Sequence, residues 1–199
     1  MKVYLEVGAK KVFACSLDWP GWCRSGKDEA LALEALDAYA DRYAIVAKQA
    51  KVPFEVGAID VVERIKGNAS TDFGVPAMIA AADHERLTPK QAERLVAILD
   101  ASWKVFDDVV KAAPPTMRKG PRGGGRDRDK IVEHVADAQD AYARKIGLRN
   151  ASRAEILDAI RAARDAKPVK ENGWPPRYAV RRIAWHVLDH AWEIEDKSD

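Results

Sequence analysis

From Thr88 onward, apolar residues recur at helical spacing in four successive segments, each bounded by residues that start or stop helices. Thr88-Pro89-Lys90-Gln91 is a capping box with proline at the first helical position. The segment it opens sets Leu95, Ile98, Leu99, Ser102, Phe106 and Val109 on one face, and Pro114-Pro115 ends it. A second helix is expected from about Arg128 to Lys145, with Ile131, Val135, Ala138, Tyr142 and Ile146 inward and Gly147 as its stop. Ser152 caps a third, running to about Ala166 and bearing Ile156, Leu157, Ile160 and Ala163. Pro175-Pro176 start the last, which ends near Asp196. Each stripe needs an apolar partner, so four in succession predict a helix bundle.

Before residue 70 the period is different. Val3, Leu5 and Val7 alternate with Tyr4 and Glu6, Gly8 to Lys11 interrupt, and Val12 to Leu17 resume, which reads as a β-hairpin. Trp19-Pro20-Gly21-Trp22 closes the second strand. Asp28 is a plausible N-cap for one helix to about Ala50, with Leu33, Leu36, Ala40, Tyr43 and Ala47 at helical spacing. Pro53 stops it, and residues 54–65 read as a further strand or strand pair. The expected fold is therefore α+β: a small ββαβ lobe over residues 1–70, then a four-helix bundle over 71–199, with the boundary in the turn-rich stretch Asn68–Pro76.

Composition excludes several classes. The chain has 199 residues, 47% hydrophobic and 32% charged, which are globular values. A formal charge of +2 gives no argument for nucleic acid as a partner. No apolar run approaches the roughly 18–20 residues that span a bilayer, and the first residues alternate like a strand rather than a signal sequence. The two cysteines, Cys15 and Cys23, make no disulfide framework and match no usual zinc pair, so reduced thiols in a cytoplasmic protein are expected.

Three of the four histidines fall where they can meet. His186 and His190 are four apart on the last helix, on the face that continues through Ile183 and Ile194. His134 adjoins the inward stripe of the second helix. Such a pair, with a third imidazole from a facing helix, supplies three nitrogens for a borderline divalent ion such as Zn, Ni or Fe, with one position left for water or substrate. At ~1.5 Å per residue, His134 lies ~9 Å from the start of its helix, and the His186/His190 midpoint ~12 Å from the end of the other. The rings are level only if the second and fourth helices run antiparallel, which requires a crossover; the loop from Asp165 to Pro176 is long enough to make it. Histidines on apolar faces also serve as hydrogen-bonded core residues, which is the competing reading. His84, beside Asp83 and Glu85, reads as a surface residue.

The stretch RDRDKIVEHVADAQDAYARKIG, which opens at Arg126, and RRIAWHVLDHAWEIED near the end together resemble the DinB-like helical family. That family's signature is one histidine early in its second helix and an HxxxH in its last. The resemblance covers roughly residues 88–196 and puts His134, His186 and His190 in the three ligand positions. It implies a metal-binding four-helix bundle, up-down-down-up, and an activity of the thiol-dependent transferase or isomerase kind that uses a low-molecular-weight thiol. One departure is the short Gly147–Ala151 connection, where the family has a long crossover. The stretch KVFACSLDWPGWCRSGKDEALALEALDAYADRY resembles the HicB-like antitoxin lobe. That likeness implies a docking surface for a protein partner or a second copy, although the DNA-binding segment usual in that family is replaced here by the helices.

Other features bear on function. Arg118-Lys119-Gly120-Pro121-Arg122-Gly123-Gly124-Gly125-Arg126 leads into the helix that carries His134, and glycine-rich backbone with guanidinium groups can hold an anion there. Arg122 and Arg126 are thus candidates to bind a substrate or thiol cofactor, against the alternative of a solvated loop. Trp174, Trp185 and Trp192 read as packing residues. Glu193 and Glu195 could support the histidines or form a solvated face. No serine or cysteine nucleophile stands at a matched spacing. Two functions compete: a divalent-metal-dependent transferase or hydrolase acting on a small molecule, and a non-enzymatic binding or regulatory protein in which the metal is structural or absent.

Overall fold

A computed structural model describes residues 1–120, 124–163 and 167–198. Arg122 and Gly123 of the arginine loop, and Asp165 and Ala166 beyond the third helix of the second half, lie outside the described residues. The chain is mixed α+β, with a four-stranded sheet and seven α-helices among those residues.

β1 (Lys2–Val7) and β2 (Val12–Ser16) form the expected antiparallel hairpin, with Val3 opposite Ser16 and Val7 opposite Val12. The Trp19–Trp22 turn leads not to a helix but to a third strand, β3 (Cys23–Gly26), antiparallel to β2. Gly21, at φ 91°, makes that turn, and Trp22 N–H donates to the Trp19 carbonyl at 3.1 Å. A four-residue strand of sequence CRSG carries no alternation, so the pattern gave no sign of it.

The expected single helix is two. α1 (Glu29–Asp37) is capped by the Asp28 side chain, which accepts from Leu31 N–H, and α2 (Ala40–Gln49) follows a break at Ala38-Tyr39. At the break the Tyr39 ring lies 5.0 Å from Trp192 and 4.0 Å beneath the Arg24 guanidinium. Of the stretch expected as a strand or strand pair, only β4 (Asp60–Lys66) is extended in a sheet. It pairs parallel to β1, giving the order β3-β2-β1-β4. Both faces of the β1–β2 hairpin are covered, so its residues are almost continuously buried. Val3, Leu5 and Ala14 pack with Leu36 and Tyr43, and with residues of the later helices including Ile98 and Leu188. On the opposite face Tyr4, Phe13 and Cys15 meet Trp185.

The turn-rich stretch holds a short helix, α3 (Ala69–Phe73), capped by Asn68, and a 3-10 turn follows at Ala81–His84. Then come α4 (Pro89–Ala112), α5 (Arg128–Lys145), α6 (Arg153–Ala162) and α7 (Pro176–Ser198). Thr88 forms the expected reciprocal capping box with Gln91, and Ser152, expected as a cap, forms one with Glu155. Gly147 ends α5 at φ 86°. The stripes meet in one cluster that includes Leu95, Leu99, Phe106, Ile131, Val135, Ile156, Ile160 and Ile183.

End contacts fix the directions. The Arg177 guanidinium, at the start of α7, donates to the Glu85 and Arg86 carbonyls and to Gln91 at the start of α4, so these two helices run parallel. Arg153 pairs with Asp107 and Arg161 with Glu93, so α6 runs against α4. Trp174 N–H donates to the Lys145 carbonyl at 2.9 Å, and Arg118 N–H, ahead of α5, to the Lys197 carbonyl at 3.0 Å. Hence α5 and α7 are antiparallel, the arrangement that the histidine spacing required. Residues 146–152, with Ile146 and Ala151 buried, bring the chain to the start of α6 beside the far half of α4. No helix among the described residues is long and apolar enough to cross a membrane.

Candidate metal centre

The antiparallel contact of α5 with α7 brings His134, His186 and His190 together. One ring nitrogen from each lies within 4.8 Å of the others, and this trio is a group that could hold a metal ion. His134 Nε2 is 3.2 Å from His186 Nε2. Two imidazole ligands at ~2.0–2.1 Å from a tetrahedral ion stand roughly 3.3 Å apart, so this spacing fits a shared cation. The same spacing also fits an N–H···N hydrogen bond, provided one ring is protonated on Nε2 and the other bare. His190 packs its ring edge-on to both partners, with centroids 4.6 Å from His186 and 5.0 Å from His134.

His190 Nδ1 lies 2.7 Å from Glu193 Oε2, so Nδ1–H donates to the carboxylate and Nε2 is left as the free lone pair. Glu193 in turn accepts from Lys197. These two contacts hold the Glu193 carboxyl down to a pKa of about 2. Glu195 is directed elsewhere, 3.8 Å from Arg42. Of the two candidate supporting carboxylates, therefore, only Glu193 touches a histidine.

Burial and neighbouring positive charge keep His134 and His186 neutral. Burial, then the neighbouring His190 and the Arg182 guanidinium, depress His186 from 6.5 to about 2, and burial with His190 and Arg126 lowers His134 as well. Neutral imidazole is the form a metal requires. Because the folded-state pKa is depressed, the unfolded chain takes the proton first as the pH falls. Stability present above pH 6.5 is then lost progressively toward pH 2. For chelator-treated protein, we expect urea unfolding to show a loss on the order of 2 kcal/mol between pH 7 and pH 5. His186→Leu should flatten that slope, and an unchanged slope would assign the titration to other groups.

Arg126 is exposed at the foot of α5, near enough for its charge to act on both His134 and His186. Arg118 is engaged with the Asp196 carbonyl and Lys119 with Asp127. Arg126 makes no such bond among the described residues, and Arg122, the other candidate of the loop, lies outside them. The edge of Tyr142 lies against His186, with centroids 5.5 Å apart. His84 is exposed, as expected, but its neighbour Asp83 is buried against Arg181. Neither cysteine is exposed, and burial pushes the Cys23 thiol well up, which leaves no thiolate nucleophile there.

Sequence reasoning missed Arg182, one turn before His186. Its guanidinium lies 5.0 Å over the Tyr142 ring and 4.5 Å over the Trp185 ring. The available signal was the i, i+4 series Arg182, His186, His190 on one face of a helix. Comparison with protein-family models, with curated proteins and with solved structures finds no match to this chain.

Proposed function

We propose that this chain is a divalent-metal-dependent enzyme of the thiol-dependent transferase or hydrolase type, with His134, His186 and His190 as the ligands of Zn, Ni or Fe. The observation that carries the reading is the convergence of three ring nitrogens, from two antiparallel helices, within 4.8 Å. The up-down-down-up course of α4 to α7 supports the likeness to a DinB-like four-helix bundle, reached through a connection shorter than that family's. The ion would lower the pKa of a bound water or low-molecular-weight thiol and so supply a nucleophile near neutral pH. The chain's own groups do the rest. Glu193 fixes the His190 tautomer, burial keeps His186 deprotonated, and Arg126 faces the anionic part of a small-molecule substrate.

A specific observation favours the second reading, a non-enzymatic binding or regulatory protein. The His134–His186 contact and the His190–Glu193 bond can satisfy the cluster as a hydrogen-bonded core. In that case the lobe of β1 to β4, with α1 and α2, acts as a HicB-like docking surface for a protein partner or a second copy. Neither reading calls for nucleic acid or a membrane, and a cytoplasmic setting suits the free thiols.

Cobalt(II) distinguishes the readings. Protein loaded with one equivalent should give an intense visible spectrum of a low-coordinate site. A thiolate-to-cobalt charge-transfer band should then appear when cysteine or glutathione is added. Binding of cobalt without any response to thiol would remove the transferase type. No binding at all would leave the docking protein.

A further inference from the structure

Arg182 is 8% exposed, and a guanidinium stays protonated at any physiological pH. It has no ion pair and no hydrogen bond among the described residues, and its Nη1 is fully buried without a partner. Its guanidinium lies over two ring faces, those of Tyr142 and Trp185. Trp185, 5% exposed, has the same deficiency, since its buried Nε1–H meets no acceptor. Both residues line one cavity of about 10 Å³, between α7 and the β1–β2–β3 face of the sheet.

The cavity walls are short of negative charge. Tyr4, Cys15, Cys23, Tyr178 and Arg181 contribute to them, and no carboxylate does. The two buried carboxylates nearby are already engaged. Asp83 binds Arg181 and the Ala80 N–H. Glu6 accepts from the Thr71 hydroxyl and from the Ala77 and Met78 N–H groups at 2.5–3.0 Å. A buried charge without a counter-charge is costly, and a buried N–H without an acceptor adds to that cost. A water molecule would satisfy the donors but leave the charge.

We propose that this cavity is a binding site for a compact monovalent anion of halide size, held by Arg182 Nη1 and Trp185 Nε1. Its volume admits one water-sized guest, which suits chloride or bromide and excludes phosphate and sulfate. The anion completes the charge balance of the α7 segment immediately before His186, and it does so whether or not the histidines hold a metal.

The test is thermal unfolding of the full chain at fixed ionic strength, in sodium chloride or bromide against sodium gluconate, whose anion is too large to enter. The midpoint should rise by about 5–10 °C once halide reaches a hundredfold excess over its Kd. Trp185→Phe keeps the ring but deletes the donor, and Arg182→Met keeps the length but deletes the charge. Both should lose the halide response. Crystals grown in bromide should show an anomalous peak between the two side chains. Equal midpoints in chloride and gluconate overturn the proposal, as does a halide response that survives in both variants.

Discussion

Replacing His186 with alanine is expected to take the protein from about one bound divalent ion per chain to background, measured by elemental analysis after dialysis against trace metal. The effect should be nearly complete. His186 is the middle member of the trio, its Nε2 is the atom 3.2 Å from His134, and no other histidine or cysteine among the described residues joins the group. Two remaining imidazoles do not make a closed or an open zinc site of the usual kind. Glu193→Gln is the more discriminating variant, because it leaves all three ligands in place. It removes only the carboxylate that accepts from His190 Nδ1, and such outer partners usually contribute 10–100-fold to affinity. A graded series follows: wild type tight, Glu193→Gln weaker by one to two orders of magnitude, His186→Ala without binding. In parallel, saturating metal should stabilise the wild type by about 2.7 kcal/mol at a hundredfold excess over its Kd, and should not stabilise His186→Ala. If His186→Ala retains the wild-type metal content with an intact circular dichroism spectrum, the ligands have been misassigned.

The helices and the candidate trio were readable in the sequence because the signals are local. Capping boxes at Thr88 and Ser152, the glycine stop at Gly147 and 3.6-residue stripes each act within a turn or two of the chain. The level of His134 with His186 and His190 followed from helical rise and one assumption about direction, which the end contacts of α5 and α7 meet. What was hidden depends on contacts distant in the sequence. β3 exists because Cys23 to Gly26 find the open edge of β2, and their composition says nothing of it. Tyr39, at the break between α1 and α2, packs against Trp192, over 150 residues away along the chain. Glu193 could be told from Glu195 only by helical phase: three residues after His190 it returns to the same face, while Glu195 turns toward Arg42. No local pattern marks Asp83 as buried, and its burial comes with a partner on α7.

That partner makes the second large effect. Asp83 and Arg181 are 1% and 7% exposed, and the pair joins three elements. The Asp83 carboxylate, in the 3-10 turn, accepts from the Arg181 guanidinium through two nitrogens and also from the Ala80 N–H. Arg181 Nη1 then donates to the Tyr4 hydroxyl of β1 at 2.8 Å. Asp83→Ala should therefore destabilise by about 3–5 kcal/mol in urea unfolding, because it strands a guanidinium in a region without another available carboxylate. The paired replacement Asp83→Leu with Arg181→Met should recover most of that loss, since removing both charges also removes their desolvation cost. The recovery separates two roles. If the ion pair chiefly tolerates burial, the double variant approaches wild-type stability while its metal content is unchanged. If the pair instead sets how α7 lies against the sheet, the double variant regains stability but shifts His186 and His190 relative to His134, and metal affinity falls with it. Measuring both quantities on the same preparations decides whether the network beneath the sheet also governs the geometry of the histidines above it.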